Sequence, residues 1–367
     1  MTTFVLGGTQ SDFARNLGRD GREISDLIAD LVDDALADAA IDPADVGAIH
    51  VGNAFGQLFN GQGHLGAMPA TVRPALWGVP AARHEAACAS GSMAVLAAMA
   101  ELEAGRCDVA LVLGVEQERN VPPEQAARFL GAAAWVGHEG EGARYLWPHM
   151  FSRLGDAYAE RWGLDRRHLV AISRKNLDNA RRNPRAQTRG WTIGDATFAE
   201  ADATNPVIEG RLRRADCAQV TDGGAAIVLA SDRYAAGWAR ARERSLARTA
   251  QLLGWGHRTA GLPLDQKLAR ADARGLLFPH VAAAFADATR RAGTALDAID
   301  GLEVHDCFTT TEYMAIDHLG LTPPGQSWRA IEDGRTALGG ALPVNPSGGL
   351  IGGGHPVGAT GVRMVLD

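Results

Sequence analysis

Short runs of aliphatic and β-branched residues alternate along the chain with alanine-rich segments whose apolar positions recur every three to four residues. The runs predict strands at 3–6, 48–51, 81–86, 109–115 and 225–230, and the amphipathic segments predict helices at 24–40 and 89–104. The first helix sets Ile24, Leu27, Ile28, Leu31, Val32, Ala35 and Leu36 on one face. Such alternation is the pattern of α/β layers. From about 117 to 216 the strand signal fades and Arg, Trp, His and Pro crowd in, which reads as an insertion rather than a domain core. A second series follows, with a strand near 250–253, a helix near 279–292, a strand at 301–304, a helix near 310–319 and a glycine-rich turn. The two series share an order of elements, so an internal duplication of fold is expected.

Composition narrows the function class. At 367 residues, 46% of them apolar, the chain has ample core for more than one ordinary domain. A net charge of −7 argues against a general nucleic-acid or membrane-surface protein. Cys88, Cys107, Cys217 and Cys307 show no CxxC spacing, so neither a disulfide framework nor a metal site is indicated. The chain opens on Phe4-Val5-Leu6-Gly7 without a leader pattern, and no apolar run is long enough to span a bilayer, which predicts a cytoplasmic protein.

Two segments carry chemistry. Cys88 follows a predicted strand and stands at the predicted first turn of a helix, where small residues (Ala89-Ser90-Gly91-Ser92) allow close backbone approach and the helix dipole favours a thiolate. A buried free cysteine is as often a small core residue. Far downstream, His355 stands among glycines in Asn345–Gly361, which lets a substrate approach the imidazole closely. That segment lacks the lysine of a phosphate-binding loop and the order of a dinucleotide-binding turn. Together the two suggest acyl transfer through a thioester. His305 and Cys307 lie at a predicted strand end, where His305 could instead cap the next helix, and the remaining histidines and most carboxylates read as structural or solvated. Of the arginines around 181–189 and 211–214, one or two could meet phosphates, with a solvated loop as the plainer reading.

In this order, these segments resemble the thiolase superfamily, and within it the sterol-carrier-protein-type thiolases and their bacterial lipid-transfer-like relatives. Cys88-Ala89-Ser90-Gly91 is similar to the family's cysteine motif, Asn345–Gly361 to its NPSGG…GHPxGATG motif, and His305-Asp306-Cys307-Phe308 to the HDCF of this subgroup. His149-Met150 with the segment 157–164 resembles the loop domain, and Thr221-Asp222-Gly223-Gly224-Ala225-Ala226 a family strand. The resemblance implies a five-layer α-β-α-β-α sandwich of two duplicated halves: residues 1–117 with 217–240, an inserted loop domain at 118–216, and a C-terminal half at 241–367. In that scheme Cys88 takes the acyl group, His355 takes the thiol proton, His305 stabilises an enolate oxygen and Cys307 moves the proton at the substrate α-carbon. Met150, Ser347, Gly348, Gly354, Arg182 and Arg214 are the expected substrate or coenzyme A contacts.

The chain ends at Val365-Leu366-Asp367, inside the helix after the turn, where family members continue, so a truncated C-terminal half is expected. The leading expectation is a coenzyme A-dependent acyltransferase of the 3-ketoacyl-CoA thiolase or acetyl-CoA acetyltransferase type. It would use acyl-CoA as substrate, hold no permanent cofactor, and work as a homodimer or dimer of dimers. The alternatives are a carbon-carbon lyase or C-acyltransferase working with a small OB-fold partner, and a noncatalytic acyl-CoA-binding subunit.

Overall fold

Among the described residues eight strands form: β1 (Thr3–Gln10), β2 (Ala48–Gly52), β3 (Ala81–His84), β4 (Val109–Glu116), β5 (Val207–Glu209), β6 (Leu212–Arg213), β7 (Gly223–Ser231) and β8 (Ala250–Leu252). The computed structural model describes residues 2–273 and 275–367. They fall into two units, one of residues up to Val121 with Val220–Leu253 and His355–Asp367, the other of Pro122–Gln219 with Gly254–Gly354. The fold is α/β, as the alternating pattern requires.

The first unit is built on a six-stranded sheet in the order β3-β2-β4-β7-β1-β8. The pairs β3/β2 and β2/β4 are parallel and the rest antiparallel. Strands β2, β4 and β7 are buried along their whole length because both faces are covered. Side chains alternate across the sheet. Val109, Leu111 and Leu113 pack with the helix Ile24–Ala39 in one core. Ala110 and Val112 pack with Ala94, Ala98 and Leu102 of the helix Ser90–Glu103, and with Val362, in the other.

Three expectations shift. The predicted 81–86 strand ends at His84, and the predicted 89–104 helix starts at Ser90 because Ala87–Ala89 form a 3-10 turn. The 250–253 strand, expected to open the second series, instead pairs with β1 through Val5↔Ala250 and Thr3↔Leu252.

In the second unit the stretch that the sequence marks only by its fading strand signal contains the helices Leu146–Trp162 and Arg166–Ala180. Met150, Leu154 and Tyr158 recur every fourth residue and form a core with Leu169, Ile172, Tyr313 and Met314. Among the described residues the predicted 301–304 strand is reduced to one parallel bridge, Leu302↔Val344. Asn345 takes a left-handed φ of 54° there, and its Oδ1 accepts Val304 N at 2.8 Å, so a side chain replaces the next rung of the ladder. Among the described residues no helix is long and apolar enough to cross a membrane.

Candidate active site

Strand β3 delivers the chain to Cys88 through a tight turn. Ala87 adopts a left-handed φ of 49°, a conformation an alanine holds only when its surroundings impose it. The Ser90 hydroxyl does so from both sides, accepting Ala86 N at 2.9 Å and donating to Ala87 O at 2.7 Å, while Glu85 Oε1 accepts Ala87 N at 2.6 Å. Cys88 therefore sits in the 3-10 turn just before the helix, half-buried, rather than in the helix's first turn as expected.

His355 belongs to the same unit. It makes a parallel bridge with Val220, and its N–H donates to Thr221 Oγ1 at 2.9 Å. Two buried carboxylates hold the residues that follow, Glu118 accepting Val357 N at 3.3 Å and Glu116 accepting Gly358 N at 3.0 Å. Glycine makes the approach of this turn to the Ser90 helix sterically possible. A Cβ on Gly91 would lie 2.7 Å from Gly358 O, and one on Gly361 would lie 2.2 Å from Ser92 N. The outcome is a thiol and an imidazole nitrogen within 4.8 Å of each other.

A Cβ at Gly358 would meet Val115 O at 2.6 Å, Asn53 Cα at 2.7 Å and Gly52 O at 2.8 Å, all main chain with no rotamer to give way. Gly358→Ala is therefore expected to destabilise the fold by about 3 kcal/mol. Urea unfolding measures this, and a change within error would show that the turn is not closely packed.

The electrostatics of Cys88 run against the helix-dipole expectation. Burial pushes its thiol up to about 12, helped by the negative charges of Glu118 and Glu116. The helix-end effect, roughly 1–2 kcal/mol at best, is outweighed. At neutral pH the resting group is a thiol.

The sequence does not single out Glu116 and Glu118, and the structure places both in the interior. Glu116 is fully buried and accepts from Asn53 Nδ2 at 2.8 Å, Ala54 N at 2.9 Å and Phe55 N at 3.1 Å besides Gly358 N. Burial nonetheless outweighs these donors and pushes it up to about 7, and burial with the charge of Glu116 raises Glu118 well above the usual range. A folded pKa above the unfolded one means stability present below pH ~4.5 and lost as the pH rises through ~7. Wild type is thus expected to lose about 1–3 kcal/mol relative to Glu116→Gln between those limits. Using the difference cancels His50 and His84, whose burial-lowered pKa values act with the opposite sign. Denaturation at a series of pH values checks this, and a flat difference would contradict it.

The second unit holds the other predicted residues. His305 and Cys307 flank Asp306, a fully buried carboxylate that accepts Leu350 N at 2.6 Å, Ile351 N at 3.3 Å and Asn176 Nδ2 at 2.7 Å. This ties the HDCF segment to the start of the short helix Gly349–Gly353. Glu303 accepts both Ser347 N at 2.9 Å and Ser347 Oγ at 2.8 Å, and Gly348 turns at φ 105° against Ala180. Gly354 follows at φ 111°. Cys307 is buried with Leu212, Phe308 and Leu350. Met150 is buried in the helical core, and Arg182 and Arg214 are exposed, Arg214 donating to Thr204 O at 2.8 Å. Sequence reading missed the clamp in which Glu312 accepts from Lys175, Asn176 and Asn345. The available signal was a charged residue inside a helix whose other positions are largely uncharged.

Comparison with known proteins matches residues 4–193 to the family described as thiolase, N-terminal domain, and residues 266–367 to the thiolase C-terminal domain-like family. The acetyl-CoA acetyltransferase of Methanothermobacter thermautotrophicus is 32% identical over 99% of this chain and 88% of its own. Human sterol carrier protein 2 is 28% identical over 99% of this chain, which spans 64% of that protein. Among solved structures, the Ltp2-ChsH2(DUF35) aldolase superposes with a TM-score of 0.74 at 21% identity, covering 99% of this chain and 88% of that one. Acetyl-CoA acetyltransferase from Syntrophomonas wolfei gives 0.70 at 19% identity, covering 100% and 91%.

Proposed function

The chain belongs to the thiolase family and is a thiolase-type acyltransferase, and from that premise we propose that it makes and breaks 3-ketoacyl-CoA through a thioester on Cys88. The observation that carries the reading is the thiol and imidazole held within 4.8 Å by main-chain contacts. In the cleavage direction the Cys88 sulfur bonds to the 3-keto carbon as its proton passes to His355, the bond between carbons 2 and 3 breaks, and acetyl-CoA leaves as its enolate. The enolate carbon takes a proton, and the thiol of a second coenzyme A then displaces the acyl group from Cys88. In this reading His305 stabilises the enolate oxygen and Cys307 supplies the α-proton. Ser347, Gly348, Gly354, Met150, Arg182 and Arg214 belong to the substrate and coenzyme A contacts.

The same reading divides the chain into a first half (1–117 and 217–240), a loop domain (118–216) and a second half (241–367). It places a homodimer or dimer of dimers in the cytoplasm, with no cofactor held between turnovers. Carbon-carbon lyase activity beside a small OB-fold partner has only a likeness of fold behind it.

Acetoacetyl-CoA with free coenzyme A should yield acetyl-CoA, and peptide mapping after incubation with acetyl-CoA should find the acetyl group on Cys88. Absence of both ends the proposal. Cys307→Ala should still be acylated yet lose exchange of acetyl-CoA α-protons with deuterated water, because acylation needs no base beside the methyl group. Normal exchange in that variant would assign the proton transfer elsewhere.

A further inference from the structure

Resting on the acyl-transfer reading above, we propose that Thr360 is a positioning residue that fixes the tautomer of His355, keeping the proton on Nδ1 and the lone pair on Nε2. Thr360 opens the helix Thr360–Leu366 and is 2% exposed. Its Oγ1 lies 2.7 Å from His355 Nδ1 and 3.1 Å from Pro356 O. A hydroxyl has one proton to donate, and a carbonyl can only accept. Donation to Pro356 O is the back-bond to residue i−4 that a helical threonine commonly makes. The oxygen then offers His355 only lone pairs, so Nδ1 must be the nitrogen that carries hydrogen. A neutral imidazole has one such hydrogen, and Nε2 is left basic.

The arrangement suits both states the ring passes through. As Cys88 attacks, the proton leaves Sγ for Nε2, the S–H bond breaks and an N–H bond forms, and the Nδ1–H bond to Thr360 is retained throughout. The opposite arrangement is real chemistry, because Pro356 O also receives Ala359 N at 3.0 Å and Thr360 N at 3.2 Å and would stay satisfied without the hydroxyl. In it, the hydroxyl donates to Nδ1, Nε2 carries hydrogen, and the ring has no lone pair for the thiol proton until the hydroxyl turns over. The bond from His355 N to Thr221 Oγ1 anchors the main chain in either case, so Thr360 acts on the ring and not on the backbone.

Nitrogen-15 NMR of histidine-labelled protein reads the tautomer directly, with the His355 ring identified by its loss in His355→Ala. Wild type should show the proton on Nδ1, Thr360→Val a mixture of tautomers, and Thr360→Ser the wild-type pattern. Alkylation of Cys88 by iodoacetamide, in which the thiolate displaces iodide, should slow by about 5- to 30-fold in Thr360→Val and recover in Thr360→Ser, the size expected for one lost hydrogen bond. A wild-type ring protonated on Nε2 overturns the proposal even if the valine variant fails to fold. Unchanged tautomer and alkylation in a folded valine variant overturn it as well. Failure of the acyl-transfer reading shows separately, as wild type that takes no acetyl group while its ring still carries the proton on Nδ1.

Discussion

Cys88→Ala is expected to abolish acylation and to lower acetoacetyl-CoA cleavage by about 10⁴-fold or more, because a covalent route has no substitute for its nucleophile. Burial raises the thiols of Cys107 and Cys217 as it raises that of Cys88, so what sets Cys88 apart is the imidazole nitrogen held within 4.8 Å rather than the acidity of its thiol. The turn should survive the change, since it is fastened by Ser90 and Glu85 and not by the sulfur. Intact-mass analysis after incubation with acetyl-CoA, beside a circular dichroism spectrum, decides the matter. An adduct of undiminished yield on the folded alanine variant would remove Cys88 from the mechanism.

His355→Ala should cost about 10²- to 10⁴-fold in turnover, the range of a positioned general base. Loss of the base matters particularly here, because a thiol raised to about 12 is almost wholly protonated at neutral pH and supplies little thiolate unaided. Stability should change little, since the turn's anchors to Thr221, Glu118 and Glu116 are main-chain bonds of His355, Val357 and Gly358 that alanine retains. Thermal unfolding beside steady-state kinetics tests both halves of the statement. A variant that melts many degrees lower while keeping its specific activity would make the histidine a structural residue.

The legible parts of this protein are those whose signal is local. The six strands of the first sheet and the helix Ile24–Ala39 follow from apolar periodicity, and the Cys88 and His355 segments from residue types that small neighbours leave accessible. The helices Leu146–Trp162 and Arg166–Ala180 were obscured because Arg, His and Trp interrupt their apolar stripes. Glu116 and Glu118 gave no signal of their own because their partners, Asn53, Ala54, Val357 and Gly358, come from distant stretches that only folding assembles. The position of Cys88 just before its helix turns on the left-handed Ala87, a conformation that nothing in an alanine's identity announces. Its high proton affinity was hidden for the same reason as the carboxylates: desolvation is a property of the assembled unit.

The contacts of Gly91 and Gly358 are made by main chain, and main chain has no alternative rotamers to explore. Thermal hopping of neighbouring side chains therefore has little purchase on the distance between sulfur and imidazole. With the thiol and imidazole acting as proposed, residues that shape a substrate pocket can be exchanged during divergence without retuning the pair, so such a protein can drift in the acyl groups it accepts while its proton-transfer geometry stays fixed.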